Sequence, residues 1–230
     1  MASPSIHDFH THSYLSDGVL SPIELIRRAV AAGYATIAVT DHAGPGTVER
    51  VLEQLIPECD AANQHWPILA LPGVEITHVP AATVADVARR ARRAGALVVA
   101  VHGETVVEPV EPGTNRAALE CDEVDLLAHP GLITPDEARL AAARGCFLEV
   151  SGRRGHAFAN GHVVQTALEA GAKLLLDSDA HAPDDLLRPA FSQAVLRGAA
   201  VPESEFQTIL ESNPRALIAR IQRARLPATV

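Results

Sequence analysis

Short apolar runs alternate with longer amphipathic stretches from one end of the chain to the other. The apolar runs are rich in Val, Leu, Ile and Ala, a composition typical of strands that are buried on both faces. They predict seven strands, at residues 5–9, 36–40, 68–74, 97–101, 124–128, 147–150 and 174–176. Because strand and helix patterns alternate throughout, we expect a parallel sheet whose strands are joined by right-handed helical crossovers.

The stretches between the strands carry helix start and stop signals. Ser21 and Pro22 begin the first helix, with Glu24 at the capping-box position, and Gly33 ends it. Thr134 begins a later helix with the same signals. The predicted helices cover residues 21–33, 46–63, 81–94, 134–145, 160–171, 183–199 and 214–223.

The number of strand and helix units favours one α/β architecture over another. Seven units fit a closed (β/α)7 barrel of the TIM type better than an open doubly wound sheet, which stays the alternative. The last two predicted helices have no strand after them, so we expect them to cover the outside and the bottom of the barrel. No linker, repeat or low-complexity segment interrupts the pattern, and we expect a single domain over residues 1–230.

Composition and charge narrow the class of protein. Hydrophobic residues make up 47% and aromatic residues 3% of the 230 positions, so the core must consist mostly of aliphatic side chains. The formal net charge of −9 argues against a general binder of nucleic acid or of anionic membranes. Cys59, Cys121 and Cys146 are far apart and odd in number, which suggests neither a disulfide framework nor a zinc knuckle. We expect a reduced, cytoplasmic protein without a membrane partner.

Histidine and acidic residues collect where the predicted strands end. His10 and His12 follow the first strand and are two positions apart, so their side chains should project from the same face. The other polar residues at strand ends are Asp41, His42, Glu75, His102, His129, Asp179 and His181. The carboxyl ends of parallel strands meet at one face of a barrel, and barrel enzymes build their active sites there. The histidines outside this pattern, predicted to be surface or helix-face residues, are His7, His65, His78 and His162.

This set of side chains predicts a metal centre with more than one ion. The histidines and carboxylates exceed the four ligands that a zinc ion takes, so we expect two or three divalent ions. Nitrogen and oxygen ligands without thiolate suit Zn, Mn or Fe. Because the ligands come from many loops around an open face, a catalytic role is favoured over a structural one.

Seven short motifs contain these positions: DFHTHS at 8–13, SDG at 16–18, TDH at 40–42, GVEI at 73–76, VH at 101–102, AHPG at 128–131 and SDAH at 178–181. In this order they resemble the motifs of the PHP family, which is named for polymerases and histidinol phosphatase. The resemblance implies a distorted seven-stranded barrel with up to three metal ions on its C-terminal face. It also implies a hydrolase that acts on phosphate esters.

The resemblance also implies which residues bind each ion. The first ion would be held by His10, His12, Glu75 and Asp179. Glu75 would bridge to a second ion that is also bound by His102 and His129. The third ion would be held by Asp17, His42 and His181. Asp17 stands where some members of the family have histidine, and its carboxylate favours harder metal ions.

A mechanism for phosphate ester hydrolysis follows as a hypothesis. Two metal ions ~3.5–4 Å apart can bridge a hydroxide nucleophile and lower its pKa. Charge on the phosphoryl oxygens would be neutralised by Arg153 or Arg154, with His156 nearby, since SGRRGH at 151–156 follows the sixth strand. Arg116 is a second candidate. The residues predicted to act in catalysis, in part by assisting the leaving alkoxide, are Asp17, His42, His181 and Arg153.

Two further residues have alternative interpretations. Asp41 either orients a metal-binding imidazole or caps a turn. The polar segment 102–115 contains three glutamates and is expected to line or gate the pocket. One of them, Glu104, either helps to position metal or water or belongs to a surface loop.

The leading hypothesis for function is a phosphomonoesterase of the histidinol-phosphatase type, with a small phosphorylated metabolite as its substrate. The alternatives are a nucleotide phosphatase or exonuclease of the same family, and a non-catalytic metal-binding regulatory module. We expect no extended nucleic acid as a partner because the chain is acidic and has no aromatic and basic track.

Overall fold

The computed structural model describes residues 5–225, and its strands form a nearly closed parallel barrel. The strands are β1 (Ile6–Asp8), β2 (Tyr34–Val39), β3 (His42–Ala43), β4 (Leu69–Ile76), β5 (Val98–His102), β6 (Leu126–Ala128), β7 (Phe147–Ser151) and β8 (Leu174–Asp177). Their order around the barrel is β1-β2-β4-β5-β6-β7-β8. The short strand β3 also pairs with β4, so β2 and β3 occupy one position of the barrel. The seven predicted strands are therefore confirmed.

Backbone hydrogen bonds bring the last strand next to the first. The amide of Asp179 donates to the carbonyl of His10 at 2.9 Å, and the amide of His12 donates to the carbonyl of Ala180 at 2.8 Å. These bonds lie just beyond β8 and β1. They confirm the barrel and exclude the open doubly wound sheet.

Helices cover the outside of the barrel. They are α1 (Pro22–Ala31), α2 (Val48–His65), α3 (Val84–Arg93), α4 (Thr114–Leu119), α5 (Pro135–Arg144), α6 (Asn160–Ala170), α7 (Pro189–Gly198) and α8 (Asn213–Arg225). The predicted caps are present: Ser21 accepts a hydrogen bond from the amide of Glu24, and Thr134 and Glu137 form a reciprocal capping box. No helix within residues 5–225 is long and apolar enough to cross a membrane.

Two helices differ from the prediction. The helix expected at 183–199 begins later: residues 183–185 form a single 3-10 turn, and α7 begins at Pro189. Leu186, at the end of that turn, has an extended backbone. Arg188 directly precedes Pro189, and the helical conformation is disfavoured for a residue in that position. The helix α4 was not predicted, because its first turn is capped from a distance by Glu104, which accepts the amide protons of Gly113 and Asn115.

An apolar layer fills the lower part of the barrel and separates the C-terminal face from solvent below. It consists of Phe9, Ala38, Leu71, Val98, Ala100, Leu126, Phe147 and Leu175 from the strands and Leu217 and Ile221 from α8. As predicted, the last helix therefore covers the bottom of the barrel. The polar residues described next lie at the opposite end of the same strands. The single-domain prediction includes residues 1–4 and 226–230, which lie outside the described residues.

Candidate metal centre

The structure brings all of the predicted metal ligands together at the C-terminal face. The buried ones are His10, His12, Glu75, His102, His129 and Asp179. Of the others, His42 and His181 are half-buried and Asp17 is exposed. Three neighbouring groups lie here, and within each of them the candidate ligand atoms are within 4.8 Å of one another. The first group is His10, His12 and Asp179, the second is His102, His129 and His156, and the third is His12, Asp17, His42 and His181. Glu75 lies beside the first group and the second. That these residues bind metal stays a prediction.

The first group joins the ends of β1, β4 and β8. The Nε2 atom of His10 lies 3.3 Å from Oε1 of Glu75, and Nε2 of His12 lies 3.2 Å from Oδ1 of Asp179. Two atoms held by one ion at ~2.0–2.2 Å are about 3 Å apart, so these distances suit neighbouring ligands of one ion. Asp179 has a left-handed backbone with φ of 52°, a strained conformation of the kind that clusters at functional sites.

Polar atoms without a hydrogen-bond partner at this group suit the binding of a cation. Buried atoms without a hydrogen-bond partner include Nε2 of His10, both ring nitrogens of His12 and Oε1 of Glu75. A buried polar atom without a partner is costly, and proteins rarely tolerate several in one place. Imidazole lone pairs beside carboxylate oxygens form the donor set that divalent ions prefer. The residues present therefore fit a metal ion.

Glu149 on β7 is a functional candidate that the sequence interpretation missed. It is fully buried, and its Oε2 accepts a hydrogen bond of 2.8 Å from Nδ1 of His10. The same oxygen accepts a longer bond from the amide of His129. Because Nδ1 contacts Glu149, the ring of His10 directs Nε2 toward Glu75. The signal was a lone acidic residue inside the apolar run FLEV.

The second group combines two predicted ligands with His156. The rings of His129 and His156 stack with their centroids 4.0 Å apart, and the ring of His102 lies 4.4 Å from that of His129. Nδ1 of His156 shares a hydrogen bond of 2.8 Å with Oγ1 of Thr105. Glu75 reaches this group through Oε1, which lies 3.5 Å from Nε2 of His129. The residue predicted to contact phosphate thus lies among candidate metal ligands.

Two imidazoles of the second group, those of His102 and His156, are neutral. Burial, together with the neighbouring His129, lowers the pKa of His156 to about 3. Burial also lowers the pKa of His102 to about 4, although the charge of Glu75 opposes this. A neutral imidazole has one bare ring nitrogen, and that is the form in which histidine binds metal ions.

The third group lies at the solvent-facing side. Oδ1 of Asp17 is 3.1 Å from Nε2 of His181, 3.4 Å from Nε2 of His42 and 4.0 Å from Nδ1 of His12. Burial alone would raise the pKa of Asp17, but hydrogen bonds from His181 and His42 outweigh it and lower that pKa. Asp17 is therefore ionised and available as a ligand.

Asp41 acts on the third group through the backbone. Its two carboxylate oxygens accept hydrogen bonds from the amides and hydroxyls of Ser13 and Ser16. The structure thus shows the second of the two alternatives, a turn anchor. The anchored turn leads directly to Asp17 and fixes where that carboxylate can lie.

The loop after β5 brings a carboxylate to the site, that of Glu108, which the sequence interpretation did not single out. Oε2 of Glu108 lies 3.1 Å from Nε2 of His102 and 3.0 Å from Nε2 of His78. His78 is exposed, as predicted, yet it joins the edge of the site. Glu104 caps α4 and is a structural part of the loop, in agreement with the surface-loop alternative.

The remaining histidines lie away from these groups. His65 and His162 are exposed, and Nε2 of His162 lies 2.7 Å from the carbonyl of Ile133. The prediction for His7 was wrong: it lies on β1 and is half-buried, and its Nδ1 pairs with Oγ1 of Thr36 at 3.0 Å. Because β1 begins at Ile6, His7 lies within this strand, opposite Thr36 of β2.

The candidate arginines differ in their surroundings. Arg153 reaches the first group, with Nε 3.6 Å from Oδ2 of Asp179 and one terminal nitrogen 3.2 Å from the carbonyl of the same residue. Arg154 is exposed. Arg116 lies on α4 and pairs with Glu120 at 2.8 Å. The contribution of each arginine to substrate binding stays a prediction.

Comparisons with known proteins agree with this geometry. The family model described as PHP domain matches residues 8–221. The chain is 41% identical over 215 residues to the uncharacterized protein MJ1295 of Methanocaldococcus jannaschii, covering 93% of this chain and 99% of that protein. It is 36% identical over 74 residues to the 5'-3' exoribonuclease Rnm of Salmonella typhimurium, covering 32% of this chain and 23% of that protein.

A solved structure shares the fold. The candidate histidinol phosphatase hisK from Listeria monocytogenes matches with a TM-score of 0.58 at 12% identity, covering 79% of this chain and 97% of that one. At this level of identity the match supports the architecture of the barrel.

Proposed function

The chain belongs to the PHP family and is a hydrolase of phosphate esters, and from that premise we propose that it removes phosphate from a small phosphorylated metabolite. The reaction takes place at a centre of two or three divalent metal ions on the C-terminal face. One observation carries this proposal: buried ligand atoms of His10, His12 and Glu75 converge there without hydrogen-bond partners.

Each group of side chains holds one ion in this proposal. The first ion is bound by His10, His12, Glu75 and Asp179. Glu75 also lies close to His129, which is a ligand of the second ion. The second ion is also bound by His102. The third is bound by Asp17, His42 and His181, whose atoms lie close together at the open side of the site. Nitrogen and oxygen ligands in this mixture suit Zn, Mn or Fe.

The protein's own residues prepare the site for phosphate chemistry. When bound, the ions supply an activated water and neutralise charge on the phosphoryl oxygens. Glu149 holds His10 in the tautomer that leaves Nε2 bare. Arg153, whose guanidinium borders Asp179, binds the remaining phosphoryl oxygens through charge-assisted hydrogen bonds. Asp17, His42 and His181 line the side from which the leaving group departs.

A second candidate function is the hydrolysis of a nucleotide or of the end of a short RNA. It is supported by the segment of 74 residues that is 36% identical to an exoribonuclease. The net charge of −9 favours a small substrate over an extended nucleic acid.

The test is release of phosphate from a panel of substrates by the full chain supplied with Zn, Mn or Fe. The panel contains p-nitrophenyl phosphate, histidinol phosphate, mononucleotides and a 5'-phosphorylated oligoribonucleotide. The variant is His10→Ala, and the matched control is His65→Ala, which removes an exposed histidine of α2. We expect activity on a small phosphate ester that is lost in His10→Ala and kept in His65→Ala. Bound metal without turnover of any substrate would favour the regulatory module instead.

A further inference from the structure

The carboxylate of Glu108 reaches across the second group from a loop outside the predicted ligand set. Its Oε2 lies 3.1 Å from Nε2 of His102, and its Oε1 lies 3.5 Å from Nε2 of His156. These separations are close to the distance of about 3 Å between two ligands of one ion. The side chain is 38% exposed, whereas those of His102 and His156 are buried.

The two histidines are oriented as metal ligands are. Nδ1 of His102 donates to the carbonyl of Gly103 at 3.2 Å, and Nδ1 of His156 shares a hydrogen bond with Thr105. Both rings therefore direct Nε2 toward Glu108. Partners on the far ring nitrogen fix the tautomer and orientation of metal-bound histidines in the same way.

The position of Glu108 is built into the fold. The amide of Gly103 donates to the carbonyl of Ala128, and the amide of Asn115 side chain donates to the carbonyl of Pro130. These bonds hold the two ends of the loop against the segment that carries His129. Between these fixed ends, the loop places Glu108 beside the second group. On the solvent side, Nε2 of His78 lies 3.0 Å from Oε2 of Glu108.

We propose that Glu108 and His156 bind the second metal ion directly, together with His102 and His129, and that Glu108 gives way to phosphate. The inference rests on the metal centre proposed above and deepens it. With Glu75 counted as a ligand of the first ion, three imidazoles and the carboxylate of Glu108 make four ligands, the number that zinc takes. The imidazoles are buried, but Glu108 is part exposed on a loop, so it is the ligand that can leave. A phosphate oxygen is an anionic oxygen like the carboxylate that it replaces.

Cobalt titration of the metal-free full chain tests the ligands without relying on activity, because the intensity of the visible Co²⁺ absorption reports four-coordination. The variants are Glu108→Gln and His156→Ala, and the control is Glu120→Gln, which changes an exposed glutamate directly after α4. We expect each variant to weaken the binding of one ion about tenfold or more and to reduce the four-coordinate absorption. The control should titrate like the wild type.

Inorganic phosphate tests whether Glu108 is displaceable. If the carboxylate of Glu108 competes with phosphate for the ion, the Glu108→Ala variant should bind phosphate more tightly than the wild type. The His156→Ala variant should bind phosphate more weakly. Unchanged cobalt binding in Glu108→Gln would overturn the inference while leaving the proposed function in place. A wild-type chain that binds no cobalt would overturn both.

Discussion

At the scale of single residues, the site depends on side chains that direct the ligands. Glu149 shows this best, because its contact with Nδ1 of His10 decides which ring nitrogen is bare. The sequence could predict His10 as a ligand, since H-x-H at a strand end is a local pattern. It could not predict that Glu149 would contact His10, because the two lie 139 positions apart and meet only when the barrel forms.

Glu149→Gln tests the directing role. The amide keeps the shape of the side chain but removes the charge that fixes the imidazole, so we expect metal affinity to fall about 10–100-fold. Competition with a metal indicator measures this affinity. An affinity equal to that of the wild type would show that His10 is oriented without help from Glu149.

Arg153 and Arg154 form a natural pair for testing phosphate binding. Loss of a hydrogen bond to a charged group costs about 1.5–3 kcal/mol, so Arg153→Ala should raise KM roughly tenfold or more. Arg154→Ala should leave KM nearly unchanged, because Arg154 is exposed whereas Arg153 borders Asp179. Steady-state kinetics on the best substrate of the panel decides between them, and the reverse result would assign the role to Arg154.

At the scale of elements, local signals predicted the strands and most helices. The caps of α1 and α5 could be predicted because the capping residues lie within one turn of the helix that they begin. The helix α4 could not be predicted in this way, because its cap comes from Glu104, which lies 9 positions before Gly113. The same folded loop carries Glu108 to the candidate site. The sequence predicted that the glutamates of this segment line the pocket, but which of them reaches the histidines depends on the folded path of the loop.

The turn after β1 depends on Asp41. In Asp41→Asn the side chain has one acceptor oxygen in place of two, so some of the bonds from Ser13 and Ser16 are lost. We expect weaker binding of the ion that Asp17 holds, while the other ions stay bound. Metal content after dialysis against a mild chelator measures this, with the exposed Asp60→Asn of α2 as control. Equal loss of all ions would mean that Asp41 supports the fold in general.

At the scale of the whole molecule, the barrel keeps the apolar residues that stabilise the fold apart from the polar residues of the candidate site. The apolar layer lies at the bottom, and the polar groups lie at the C-terminal ends of the strands. This division explains why the sequence predicted that the histidines and carboxylates at the strand ends meet: parallel strands bring their carboxyl ends to one face whatever the loops do. The paths of the loops, which place His156 beside His129, depend on packing and are not visible in the sequence.

Leu217→Ala tests the bottom layer. Leu217 of α8 is fully buried in the barrel's lower core, and removing a buried leucine side chain costs about 2–5 kcal/mol. We expect the free energy of unfolding to fall by this amount in a denaturant titration. The number of metal ions bound per folded chain should not change. A loss of metal below the unfolding transition would contradict the separation of the two layers.

The most direct test of the metal centre is the metal content of the purified full chain, measured by mass spectrometry of the elements after removal of loosely bound ions. The account predicts two or three divalent ions per chain, and fewer in His10→Ala. A chain that folds but holds no divalent ion, even when supplied with Zn, Mn and Fe, would contradict the central claim.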